Sequence, residues 1–178
     1  MCFMPGINNF EMRRSVMNVV VKVCEMENCL GMRVRKDLKD ASGCENFEDF
    51  VEKLGIARFK QGQVFMSLDQ GKICGMLAYS PVKKGFYRSM EDRVILDLSG
   101  VSGDVFEEDG FNGSYGVIVG PYFAEDSQEI EALISDCIAI NGNTRRYVAF
   151  ADERTMPYFA VNGFKFIADV GERYLIMR

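Results

Sequence analysis

The chain has 178 residues, 48% of them apolar and 26% charged, and a formal net charge of −5. That length suits one domain with a sizeable core, and the acidic balance argues against a nucleic-acid partner held by a general basic footprint. Histidine is absent; this excludes Ser-His-Asp and Cys-His catalysis and most zinc sites, so no metal is expected.

The six cysteines, at positions 2, 24, 29, 44, 74 and 137, contain no C-x-x-C pair and read as reduced thiols of a cytoplasmic protein. No stretch approaches the roughly 20 apolar residues of a membrane span, so no membrane partner is expected. The opening "MCFMPGINNFEMRRSVMN" lacks the apolar core of a signal peptide. Residues 1–17 read as a loosely held extension to a single domain over 18–178, which leaves a homodimer open.

"NVVVKV" (18–23) is β-branched and reads as a strand. In the next stretch Met26, Leu30, Val34 and Leu38 recur every four residues, which predicts a helix stopped by Ser42-Gly43. A second helix is expected after Asn46, its N-cap, with Phe47, Phe50, Val51 and Leu54 on one face. "VFMSLDQGKICGMLAYSP" (64–81) is a hairpin turning at Asp69-Gln70-Gly71, its second strand ended by Pro81. The long segment from Val82 to Ser114 holds one strand candidate, "RVILDLS" (93–99), and then the acidic stretch "GVSGDVFEEDGFNGS".

"YGVIVGPYF" (115–123) predicts a buried strand broken at Gly120-Pro121. An amphipathic helix follows, capped by Asp126 or Ser127, with Ile130, Leu133, Ile134, Cys137 and Ile138 inward and "NGN" as its stop. "RRYVAFA" (145–151) is a strand, "DERTMPYFAVNG" a short helix, and "FKFIADVGERYLIMR" two closing strands around Asp169 to Glu172. The unit from Tyr115 to Phe150 is a strand–helix–strand crossover and so requires a parallel pair. The expected class is α/β (α+β mixed), a mainly antiparallel mixed sheet with helices on both faces.

This order, with "RRYVAFADERTMPYFAVNGF" and the ending "YLIMR", resembles the GCN5-related N-acetyltransferase superfamily from about Asn18 to Arg178. The resemblance implies an acyl-CoA N-acyltransferase-like fold with a splayed parallel pair. It also implies acetyl-CoA as co-substrate and a primary amine acceptor, a small molecule or a protein, that attacks the thioester directly. Val117, Ile118 and Val119 would then hold the pantetheine arm by their backbone. The diphosphate would rest on the helix start at Ala124, Glu125, Asp126, Ser127 and Gln128, where this chain carries acids in place of the usual basic residue and glycines; the degenerate loop is like that of the C-terminal half of two-part members. Phe159 stands where many members place a proton-donating tyrosine, with Tyr158 beside it as the nearest phenol. Without histidine, Asp97, Glu107, Glu108 and Glu172 are the candidate bases. Acids in the segment before Ser114 would favour a cationic acceptor. The alternative is a non-catalytic binding or regulatory module on the same fold.

Overall fold

The computed structural model describes residues 17–22, 29–54, 62–108, 110–111, 114–143 and 145–178. The expected extension lies, but for Met17, outside the described residues. Seven strands form one sheet in the order β1-β2-β3-β4-β5-β7-β6. β1 (Met17–Lys22), β2 (Gln63–Asp69), β3 (Lys72–Val82) and β4 (Gly116–Ala124) pair antiparallel in succession. β4 then meets β5 (Arg146–Ala151) in parallel, and β5 continues antiparallel to β7 (Arg173–Met177), with β6 (Lys165–Val170) at the edge.

The turn between β2 and β3 has Gln70 at φ 51° and Gly71 at φ 75°, the pair of positive angles that matches strand twist in a tight hairpin. Alternation along the strands sends residues to two faces. Phe65, Leu77, Tyr79, Val117, Val119, Tyr147 and Ala149 pack under α4 (Ser127–Asn141) and α5 (Met156–Val161), where Phe159 and Phe164 are also buried. On the opposite face Val64, Met66, Met76 and Ala78 lie under α1 (Lys36–Ser42) and α2 (Phe47–Leu54). Ile118, Val148, Leu175 and Met177 lie under α3 (Lys84–Glu91) and the loop that follows it.

Four expectations are corrected. The helix expected to run through Leu30 and Val34 begins only at Lys36, its first part, 25–28, lying outside the described residues. Gly31 at φ 82° turns the chain, and Arg33 and Val34 are extended, bridging Asn46 and Ile73. The apolar period of four is therefore met by an extended segment followed by a helix. Residues 93–99 form no strand: the amides of Val94 and Ile95 turn back to the Ser89 carbonyl, and Ile95, Leu96 and Leu98 pack singly on the core. The regular element nearby is instead α3, whose Phe86, Tyr87 and Met90 are buried. Finally, β3 runs through Pro81, paired with Val117, to Val82, and "DERT" is a turn before α5.

Candidate functional site

β4 and β5 stay paired only from Gly116–Arg146 to Val119–Ala149. Beyond that point β4 remains on β3, with Leu77 opposite Tyr122 and Tyr79 opposite Val119, so Gly120 and Pro121 together face the single residue Ala78. This bulge, with Gly120 at φ 124° and a cis bond to Pro121, bends β4 away while β5 follows β7. Between the parting strands lies a cavity of about 680 Å³. β4 lines it from Val119 to Ala124 and Phe150 from β5; Asp152, Arg154 and Thr155 close one side, and Asp97, Leu98 and Ser99 of the long loop another. Val170 and Arg173 of the last hairpin complete that wall.

Tyr122 reaches across the gap. Its hydroxyl lies 3.2 Å from the Phe150 carbonyl and 2.9 Å from Thr155 Oγ1. Thr155 Oγ1 donates to Asp152 Oδ1 at 2.7 Å, and its backbone amide donates to the same oxygen at 2.7 Å. The single phenolic proton is thus shared between a carbonyl and a hydroxyl whose own proton is already engaged. Burial pushes the Tyr122 phenol up to about 12, against the Thr155 hydrogen bond and the charges of Arg154 and Arg173. Burial would also raise the Asp152 carboxyl, but its bonds from Thr155 and the charge of Arg154 bring it below the ordinary value. The Asp97 carboxyl is lowered as well, by the hydroxyl and the amide of Ser99.

At the start of α4, Asp126 Oδ1 accepts the Glu129 amide at 2.9 Å and is the N-cap. Glu125 does not face the helix mouth. Its side chain is 6% exposed and its Oε1 lies 2.6 Å from Arg35 Nε, while Arg35 Nη1 pairs with Asp69. Glu129 lies over β3, where a Cβ on Gly75 would come within 2.9 Å of its Cγ. Two carboxylates, those of Asp69 and Glu125, thus share the charge of Arg35, and Glu129 adds a third around Cys74. Burial first, and then the charges of Glu129, Glu125 and Asp69, push the Cys74 thiol at their centre up to about 12, which leaves it inert as a nucleophile.

Among the expected residues, the structure brings Asp97, Val119 and Ala124 to the cavity. Val117 and Ile118 are core residues bonded to strands on both sides, and Phe159 is fully buried under the sheet. Tyr158 is half-buried against the same core and does not line the cavity. Glu108 and Glu172 are exposed in turns away from the cavity, and the Glu107 amide is bonded to the Pro81 carbonyl. Ser127 and Gln128 are exposed in the first turn of α4. Sequence reasoning missed Tyr122, Asp152, Arg154, Thr155 and Arg173. The one local signal was the Asp-x-x-Thr before Pro157, a side-chain-capped turn.

No family model matches the sequence, and no curated protein matches it. Solved structures do. The mosquito arylalkylamine N-acetyltransferase like 5b is similar over 92% of this chain and 99% of its own, at TM-score 0.54 and 11% identity. The GNAT domain of S. lividans PAT is similar over 90% of this chain and 88% of its own, at TM-score 0.52 and 11% identity. A probable acetyltransferase from Staphylococcus epidermidis covers 92% and 98%, at TM-score 0.51 and 9% identity. At such identities the likeness is one of fold.

Proposed function

We propose that this chain, which has the acyl-CoA N-acyltransferase fold of the GNAT superfamily, is an N-acetyltransferase that holds acetyl-CoA between β4 and β5 and passes the acetyl group to a primary amine. The observation that carries the reading is the splay itself, a cavity of about 680 Å³ where the parallel pair parts. A fold kept only for packing would gain by filling such a gap.

The residues fit the acyl-pantetheine end of that co-substrate. Past Val119, β4 has no strand partner on the β5 side, so its edge offers backbone donors and acceptors to an extended arm. They fit the diphosphate end poorly, because Asp126 already takes one amide of the α4 start and its charge opposes a second anion.

Acetyl transfer joins the amine nitrogen to the carbonyl carbon, breaks the carbon–sulfur bond and moves one proton from nitrogen to sulfur. Tyr122 is the phenol in the cleft. Raised to about 12, it keeps its proton and would turn it from the Phe150 carbonyl to developing negative charge. Asp97 and Asp152 are both held below the ordinary carboxylate value, so they attract an ammonium group but are weak bases. The acceptor therefore binds as the ammonium and gives up one proton to solvent before its nitrogen attacks the thioester.

A second reading, a non-catalytic module, is favoured by the Tyr122 hydroxyl spanning the splay to Phe150 and Thr155. Calorimetric titration of acetyl-CoA and of coenzyme A into the full chain separates the two. Micromolar binding of acetyl-CoA supports the first. No binding by either the wild type or an Asp126→Asn variant supports the second.

A further inference from the structure

The cavity carries two charges of each sign, and none of them is neutralised by direct contact with another. Arg154 and Arg173 line it, both exposed, with no ion pair among the described residues. Arg173 is held in place by the ring of Phe150, 5.3 Å from its guanidinium carbon. The two acids are fixed by hydroxyls instead. Asp152 Oδ1 accepts from Thr155, and Asp97 Oδ1 accepts the Ser99 amide at 2.8 Å as well as its hydroxyl. Asp97 Oδ2 makes no hydrogen bond among the described residues, while the Asp152 carboxyl also accepts from the Arg154 amide. Leu98, Val119, Pro121, Phe150 and Val170 supply the apolar part of the wall, beside the Tyr122 phenol.

We infer that the acceptor bound here is an amino carboxylate with an apolar side group. Its carboxylate meets Arg154 and Arg173, its ammonium meets Asp97 and Asp152, and its side group meets the apolar wall. Guanidinium groups bind carboxylates as planar forks, and charges of both signs in one cavity favour a zwitterion over either half of it. A polycation would meet the two arginines without compensation. The acids expected to favour such an acceptor, Glu107 and Glu108, lie off the cavity. The inference names the acceptor class of the proposed transferase and rests on that reading for the reaction, but not for the binding.

The test is calorimetric titration of the full chain, with and without acetyl-CoA, using two matched series. One is L-leucine, L-leucinamide and 4-methylpentanoate; the other is L-phenylalanine, its amide and 3-phenylpropanoate; spermidine is added to both. The expected result is that at least one amino acid binds tenfold or more tightly than its amide and its des-amino acid. An Arg154→Gln/Arg173→Gln variant of unchanged melting temperature abolishes the preference over the amide. Equal or tighter binding of the amides or of spermidine overturns the inference. So does an unchanged preference in the double variant, or no binding of any compound in either condition. Preference for the amino acid in a chain that takes up no acetyl-CoA removes the transferase reading and leaves the pocket assignment standing. Uptake of acetyl-CoA without that preference does the reverse.

Discussion

The hydroxyl of Tyr122 lies 3.2 Å from the carbonyl oxygen of Phe150, across the gap where β4 and β5 have ceased to pair. One side chain thus replaces the ladder that the bulge at Gly120-Pro121 removes. Its ring packs edge-on to Phe159 at 5.2 Å, which in turn packs edge-on to Phe164 at 5.0 Å. The splay is tied to the α5 core at one phenol.

Tyr122→Phe keeps the ring and removes the tie. The Phe150 carbonyl loses a partner, and the expected loss of stability is about 1–2 kcal/mol. For a chain of this size that lowers the melting temperature by roughly 3–6 °C. The proposed transferase would lose kcat by about 10- to 100-fold with little change in KM, since the donor acts on developing charge. Tyr158→Phe, off the cavity, should change neither. Steady-state kinetics of the two variants side by side check this; equal losses in both would assign the effect to packing.

Asp126→Asn separates the cap from its charge. Asparagine caps as well as aspartate, so stability should stay within about 0.5 kcal/mol, whereas Asp126→Ala should cost about 1 kcal/mol. Removing the charge at the start of α4 should tighten acetyl-CoA several-fold, an effect that shrinks as salt is added. Titrations at two ionic strengths measure both parts.

Elements set by local chemistry were legible in the sequence. Asp-Gln-Gly gave the hairpin, Asn46 the cap of α2, with its Oδ1 3.0 Å from the Asp49 amide, and Asp126 was one of two caps read for α4. The parallel pair followed from the crossover between them. What failed depended on distant partners. Val94, Ile95, Leu96 and Leu98 look like a strand but find no ladder to join, and Val94 is 77% exposed. Gly85 and the aromatics of α3 masked a short helix whose inward face is set by the sheet beneath it. The role of Tyr122 follows from β4 bulging against β3, and that of Arg35 from a carboxylate far along the chain. Neither relation has a local signature.

Arg35→Met tests that distant pair. Removing the guanidinium takes away the charge that faces Glu125 and Asp69, at side-chain exposures of 6% and 13%. Because Arg35 is itself 24% exposed, the expected cost is about 2–4 kcal/mol, toward the lower part of the range for a broken buried pair. Adding Glu125→Gln should restore part of it, so the double variant is more stable than the sum of the two single losses. Denaturant midpoints across the cycle give the coupling. Additive losses would mean that the contact does not bear on stability.

Alkaline pH should weaken the fold well before it weakens most acidic proteins of this size. Burial, with the carboxylates around it, raises the Cys74 thiol from 9.0 to about 12, and burial raises the Tyr87, Tyr122 and Tyr147 phenols from 10.0 to about 12. Above pH 9 the unfolded chain gives up these protons while the folded chain keeps them. The unfolded state then binds fewer protons, and the free energy of unfolding falls as pH rises, for each group by up to about 1.4 kcal/mol per pH unit. Stability should be flat from neutrality to about pH 9 and decline steadily from there to about pH 12. Cys74→Ala removes one titrating group, so its decline should be shallower between pH 9 and 10, though it still starts near pH 9, where burial also holds the Cys29 and Cys137 thiols above their ordinary value. Urea midpoints from pH 7 to 11 measure the slope, and a wild-type curve that stays flat to pH 11 would show that these groups titrate alike in both states.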